Sequence, residues 1–154
     1  KTFGHLEQSC FLKENYSITE GMPPEVNLLN EKNNGENILK LIQNDLVLAS
    51  HDVSNGGLII ALSEMAMSSN YGVKIQKPKK LTNLFEFFFG EDQGRYILEI
   101  DPKILPKIEK ILKENNIYYE NVGSTQKDYF EIESELKISI KDLYKVNNEW
   151  YNKY

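Results

Sequence analysis

His51-Asp-Val-Ser-Asn-Gly-Gly-Leu58 lies between two apolar runs, Leu46–Ala49 and Leu58–Met67. The pattern reads as strand, glycine turn and buried helix. Such a turn aims backbone N–H groups at whatever stands before the helix start, which suits an anion or a phosphate. Asp52 and Ser54 are good N-cap types, and Gly56-Gly57 let the backbone approach a ligand closely. No lysine follows as in a Walker A loop, and the spacing is not G-x-G-x-x-G. Two readings stay open, a structural hinge and a phosphate or nucleotide contact, and the local residues favour the hinge.

Upstream of the turn, residues 1–22 are irregular in pattern, and Gly21-Met22-Pro23-Pro24 reads as an extended entry. A helical pattern starts at Glu25, with Val26, Leu28, Leu29, Ile38, Leu39, Leu41 and Ile42 on an amphipathic face. One helix that tolerates Gly35 at about 1 kcal/mol is favoured over two shorter ones. The strand Leu46–Ser50 is short and apolar enough to be central in a sheet.

Downstream, Leu58 to Ser68 is apolar on most sides and predicts a helix buried on most sides. Tyr71–Gln76 alternates like a strand with one wet face, and Lys77-Pro-Lys-Lys80 reads as a solvated basic loop. Leu84–Phe89 holds four of the seven phenylalanines, the mark of a core or a buried interface. After the polar turn Gly90–Arg95 comes a strand, Tyr96–Ile100, stopped by Pro102. Ile104, Leu105, Ile108, Ile111 and Leu112 then trace the apolar face of a surface helix. Ile117–Val122, Tyr129–Ile132 and Leu136–Ile140 read as strands, and Ile140–Tyr154 as a last helix with Leu143, Val146 and Trp150 on one side. The order predicts an α+β fold, a mixed sheet with helices packed on it, in one domain spanning 1–154.

Composition narrows the function classes. The chain has 154 residues, 40% hydrophobic and 27% charged, with net charge −5. That balance argues against a broad face for nucleic acid or anionic lipid, though a local phosphate pocket stays compatible with it. No run approaches the ~20 apolar residues of a membrane helix. One cysteine, Cys10, and two histidines, His5 and His51, leave no disulfide and no thiolate zinc site, and point to a reducing, cytoplasmic setting.

Glu91-Asp92-Gln93 sets two acids and an amide in one turn, a set that could hold a metal or a substrate amide. Exposed acidic turns are commoner than ligand sites. Arg95 could pair with either acid or reach a phosphate. His51 beside Asp52 lacks an identifiable nucleophile, and His5, Ser9 and Cys10 do not form a triad. No catalytic residue and no metal ligand is assigned.

Two motifs carry a family resemblance. His51-Asp-Val-Ser-Asn-Gly-Gly-Leu58 with Ala61-Leu-Ser-Glu-Met-Ala66 is similar to the "HDVSDGGL…AL-EMA" signature of the aminoimidazole ribonucleotide synthetase C-terminal-domain superfamily. Selenophosphate synthetase and thiamine-monophosphate kinase share that superfamily. Phe89-Gly-Glu-Asp-Gln-Gly-Arg-Tyr96 resembles the "FGEDQGRY" of the phosphoribosylformylglycinamidine synthases. Gly4-His-Leu-Glu-Gln-Ser9, Pro23-Pro-Glu-Val-Asn27 and Asn33-Asn-Gly35 resemble that family's "GHLGQS", "PPPVDL" and "RNG", in the same order. Asn55 departs from the usual acid of the first motif, and Glu7 from a glycine of "GHLGQS".

The resemblance implies the C-terminal domain of the small bacterial-type synthetase subunit, with other domains and one strand upstream of Lys1. It implies an ATP- and magnesium-dependent amidoligase of purine biosynthesis, supplied with ammonia by a separate glutaminase subunit and assisted by a small accessory subunit. In that family an E-S-Q turn of the first repeat contacts substrate, and Glu91-Asp92-Gln93 is similar to its counterpart in the second. The implied place for this chain is the pseudo-active half, with Asp52, Ser54, Asn55, Gly56, Gly57, Glu91, Asp92 and Gln93 as a nucleotide or substrate pseudo-site. The fragment alone would then need no cofactor, show no turnover and tend to self-associate through a bared apolar edge. The alternatives are a non-catalytic nucleotide-binding or docking module and a related ATP-dependent synthetase such as selenophosphate synthetase.

Overall fold

Asn27 adopts an extended backbone, and its side-chain oxygen accepts from the Asn30 N–H at 3.0 Å, capping the helix that follows. The computed structural model describes residues 1–78, 83–149 and 151. Its helices are α1 Cys10–Tyr16, α2 Leu28–Gln43, α3 Gly57–Ser69, α4 Leu84–Phe89, α5 Leu105–Glu114 and α6 Ile140–Glu149. Its strands are β1 Ala49–Val53, β2 Gly72–Ile75, β3 Arg95–Glu99, β4 Gly123–Gln126, β5 Tyr129–Ile132 and β6 Leu136–Ser139. Helices and strands mix as the pattern predicts. The residues divide into two units, Lys1–Ala61 with Asn83–Glu120 and Leu62–Thr82 with Asn121–Tyr154, and the chain passes from one to the other within α3.

In the first unit α2 runs unbroken through Gly35, as one helix. Its inner side is narrow. Leu41 is fully buried and packs with Ile108 and Leu112 of α5. Leu28, Leu29, Leu39 and Ile42, expected on the same buried face, lie at the surface, from 43% to 77% exposed. A helix that packs on one neighbour buries one stripe, and these four residues sit outside that stripe. A Cβ built on Gly35 would meet only the Tyr96 hydroxyl, at 3.7 Å. Gly35→Ala is therefore expected to stabilise the unit by about 0.5–1 kcal/mol. A melting temperature that fails to rise would contradict this.

β1 and β3 pair antiparallel, with His51 opposite Ile97 and Val53 opposite Arg95. The expected strand Leu46–Ser50 thus lies three residues early, and it is not central: among the described residues β1 pairs with β3 alone. Asp45 turns the chain with φ 53°, and Leu46 N–H closes back on Leu41 O at 3.0 Å. Leu46 and Val47 are then drawn into the Leu41–Ile108–Leu112 cluster. The strand expected over Ile117–Val122 fails for a related reason. Ile117 and Tyr119 pack on that same cluster, and extended pairing begins only at Gly123. Apolar alternation there reflects packing under α5, not a sheet.

The second unit holds a mixed four-stranded sheet in the order β4-β2-β5-β6. β2 runs antiparallel to β4 and parallel to β5, and β5 antiparallel to β6. Ile75, Phe130, Ile132 and Ile140 are buried here. Val146 of α6 is exposed, against expectation, and Trp150 and Tyr154 lie outside the described residues. Of the basic loop, Lys79 and Lys80 also lie outside them, while Lys77 pairs with Glu135 at 2.7 Å. Such a surface pair is worth little.

Candidate functional site

The site grows from α4. Asn83 caps this short helix by accepting from Phe85 N–H at 3.0 Å. Phe87 and Phe88 point into the core, while Phe85 and Phe89 gather round Phe11 of α1, with ring centroids 5.3 and 4.4 Å away. These aromatic contacts hold α1 beside α4. Gly90 then leaves the helix in extended conformation and presents Glu91 and Asp92 to the backbone around them.

Glu91 reaches in one direction. Its Oε1 accepts from Gly56 N–H at 2.7 Å and from Cys10 N–H at 2.8 Å, and its own N–H donates to His5 O at 2.9 Å. Asp92 reaches in another and is 6% exposed. Its Oδ2 accepts from the Thr2 hydroxyl at 2.5 Å, Phe3 N–H at 3.0 Å and Gly4 N–H at 3.2 Å. Arg95 Nη1 stands 3.7 Å from the same oxygen and donates to Gly90 O at 2.9 Å. Burial lowers the Arg95 pKa, and the charge of Asp92 opposes that shift.

The glycine turn is tight. Gly57 N–H donates to Ser54 O at 3.0 Å, and Gly57 has φ 72°. A Cβ on Gly57 would stand 2.7 Å from Phe88 O and 2.8 Å from Gly90 O, so the turn lies directly on the backbone after α4. Among the eight residues named from the sequence, Gly56, Gly57 and Glu91 come together, and Asp92 holds the segment 2–4. Asp52, Ser54, Asn55 and Gln93 lie at the surface. Asp52, read as part of the turn and as a cap type, is a strand residue, because pairing with β3 continues through Val53. His51 Nδ1 sits 2.6 Å from Asp52 O.

Several participants had no signal in the sequence. Backbone donors at Phe3, Gly4 and Cys10 serve the two acids, and a backbone N–H carries no mark of residue type. Glu7, the departure from glycine, accepts from Met22 N–H at 2.6 Å, and Gln8 Nε2 donates to Gly21 O at 2.5 Å. α1 corrects the irregular reading of residues 1–22: Ser9, fully buried, caps it by accepting from Leu12 N–H at 3.3 Å.

One oxygen of each acid already accepts two or more N–H or O–H donors, and the Gly56 and Gly57 N–H groups are both engaged. Among the described residues no group of three or more His, Cys, Asp or Glu is placed to hold a metal ion. Burial, together with the charge of Glu91, raises the Cys10 pKa, which keeps the thiol protonated and a poor nucleophile. The arrangement fastens loops together.

Comparison with known proteins follows the same lines. The Phosphoribosylformylglycinamidine synthase subunit PurL of Pelagibacter ubique (strain HTCC1062) is 46% identical over 154 residues, which is 100% of this chain and 21% of that protein. The subunit of the same name from Bartonella bacilliformis is 35% identical over 153 residues, 97% of this chain and 20% of that protein. The chain thus spans about a fifth of the length of the curated relatives it matches. A crystal structure of phosphoribosylformylglycinamidine synthase II from Thermotoga maritima superimposes with TM-score 0.68 at 18% identity, covering 78% of this chain and 22% of that one. T. maritima PurL complexed with ATP does so with TM-score 0.64 at 18% identity, covering 73% and 21%. The family described as AIR synthase related protein, C-terminal domain, matches residues 6–133. By that match this chain belongs to the AIR synthase related protein C-terminal-domain family.

Proposed function

We propose that this chain is the C-terminal domain of a cytoplasmic, ATP-dependent amidoligase of purine biosynthesis. The full-length synthetase would convert formylglycinamide ribonucleotide to formylglycinamidine ribonucleotide with ammonia derived from glutamine. The observation that carries this reading is the 46% identity extending over the whole chain to one fifth of a PurL subunit. A related synthetase of another pathway does not call for the Gly90–Tyr96 motif. The chain's part is structural. Glu91 and Asp92, which resemble a substrate-contacting turn, each engage one oxygen with donors of this chain. Binding of ATP and magnesium is assigned to other domains of the synthetase, a reading supported by the Gly56 and Gly57 N–H groups being engaged within this chain.

The surface of α2 supports a multidomain setting. Leu28 and Leu29 near one end of α2 and Leu39 and Ile42 near the other are exposed apolar residues. Other domains of the same synthetase would cover them, with the glutaminase and a small accessory subunit completing the assembly, as the name of the T. maritima PurLQS structure suggests for that protein. Two measurements test the reading. The full-length protein, given formylglycinamide ribonucleotide, ATP and an ammonium source, should yield the amidine, and failure to do so would sink it. The 154-residue chain alone should give no ATP-dependent product and should sediment as more than a monomer. Turnover by the chain alone would contradict the structural role.

A further inference from the structure

We infer that Glu91 is the resident anion of the glycine turn: its carboxylate fills the socket made by the Gly56 and Cys10 N–H groups and closes it to phosphate. Gly56 stands just before α3 and Cys10 is the first residue of the seven-residue α1, so the two donors come from separate segments. A single oxygen meets both, at 2.7 and 2.8 Å, within the range of charge-assisted hydrogen bonds.

The carboxylate is held from two sides. Its own N–H is tied to His5 O, and the next residue, Asp92, is anchored by Thr2, Phe3 and Gly4. The turn is also pressed against the backbone at the end of α4, since a Cβ on Gly57 would lie 2.7 Å from Phe88 O. One side chain thus positions three segments, α1, the turn before α3 and the loop after α4, and the turn that looks most like a phosphate cradle is filled from within. This follows from geometry alone and does not rest on the amidoligase assignment.

The test is amide NMR and thermal melting of the chain, with inorganic phosphate as the probe. In the unsubstituted chain the Gly56 and Cys10 amide resonances should stay in place as phosphate is added to millimolar levels. Glu91→Ala should move both resonances and lower the melting temperature by roughly 5 °C. Phosphate or formate should then raise the melting temperature of Glu91→Ala more than that of the parent, by refilling the vacated socket. Glu91→Gln, which keeps a neutral acceptor, should lose less and respond to neither anion. Saturable phosphate shifts of Gly56 and Cys10 in the parent would overturn the inference. So would a Glu91→Gln chain that melts like the parent, a readout that survives even if Glu91→Ala does not fold.

Discussion

Gly57→Ala is expected to cost the first unit about 4 kcal/mol, enough to unfold a marginal domain. Two effects add. The residue sits at φ 72°, where an L side chain costs roughly 1–2 kcal/mol. Its new Cβ would also meet Phe88 O, the Phe89 carbonyl carbon and Gly90 O, all within 2.8 Å and all main chain. Main chain cannot rotate aside, so either the turn or the loop after α4 must shift, and the Glu91 contact with Gly56 would go with it. Gly56 makes the control. It has φ 79°, but the atoms in its way belong to the Ile60 side chain, which can move. Denaturant titration should rank Gly57→Ala well below Gly56→Ala. Equal midpoints for the two would show that the close approach does not matter.

Asp92→Ala is expected to cost about 3 kcal/mol. It removes the acceptor of three donors and leaves Arg95, whose side chain is only 11% exposed, without its counter-charge. Asp92→Asn keeps an acceptor and removes the charge, so its loss should be about half as large. The local consequence is more telling than the total. Phe3 and Gly4 amides should lose protection from hydrogen exchange, while amides of α5 keep theirs relative to global stability. Unchanged exchange at Phe3 and Gly4 would mean that Asp92 does not hold the amino-terminal segment.

Much of the fold was legible because local patterns and tertiary needs agreed. The run from Leu58 is apolar on most sides and forms α3, and the stripe of Ile108 and Leu112 turns inward in α5. Gly35 did not break α2, since one glycine costs too little to stop a capped helix of this length. The failures share one cause. Leu46, Val47, Ile117 and Tyr119 have the apolar spacing of strands, yet they cover the α2–α5 cluster. Periodicity reports which residues seek burial and leaves open what buries them. Leu28, Leu29, Leu39 and Ile42 share the helical period but stay 43% to 77% exposed.

The turn His51–Leu58 marks the same division. Sequence by itself determined the strand–turn–helix order and the family to which the two motifs point, while the need for glycine at Gly56 and Gly57 shows in their positive φ. Sequence could not determine whether the turn was open. That depended on Glu91, which lies 35 residues further along, and on Cys10 at the start of a helix in a segment with no clear pattern. Backbone N–H groups look alike in every residue, so their partners emerge only when the chain is folded. Tertiary structure therefore decided that Glu91 meets the turn at Gly56 while Asp92 anchors the amino-terminal segment.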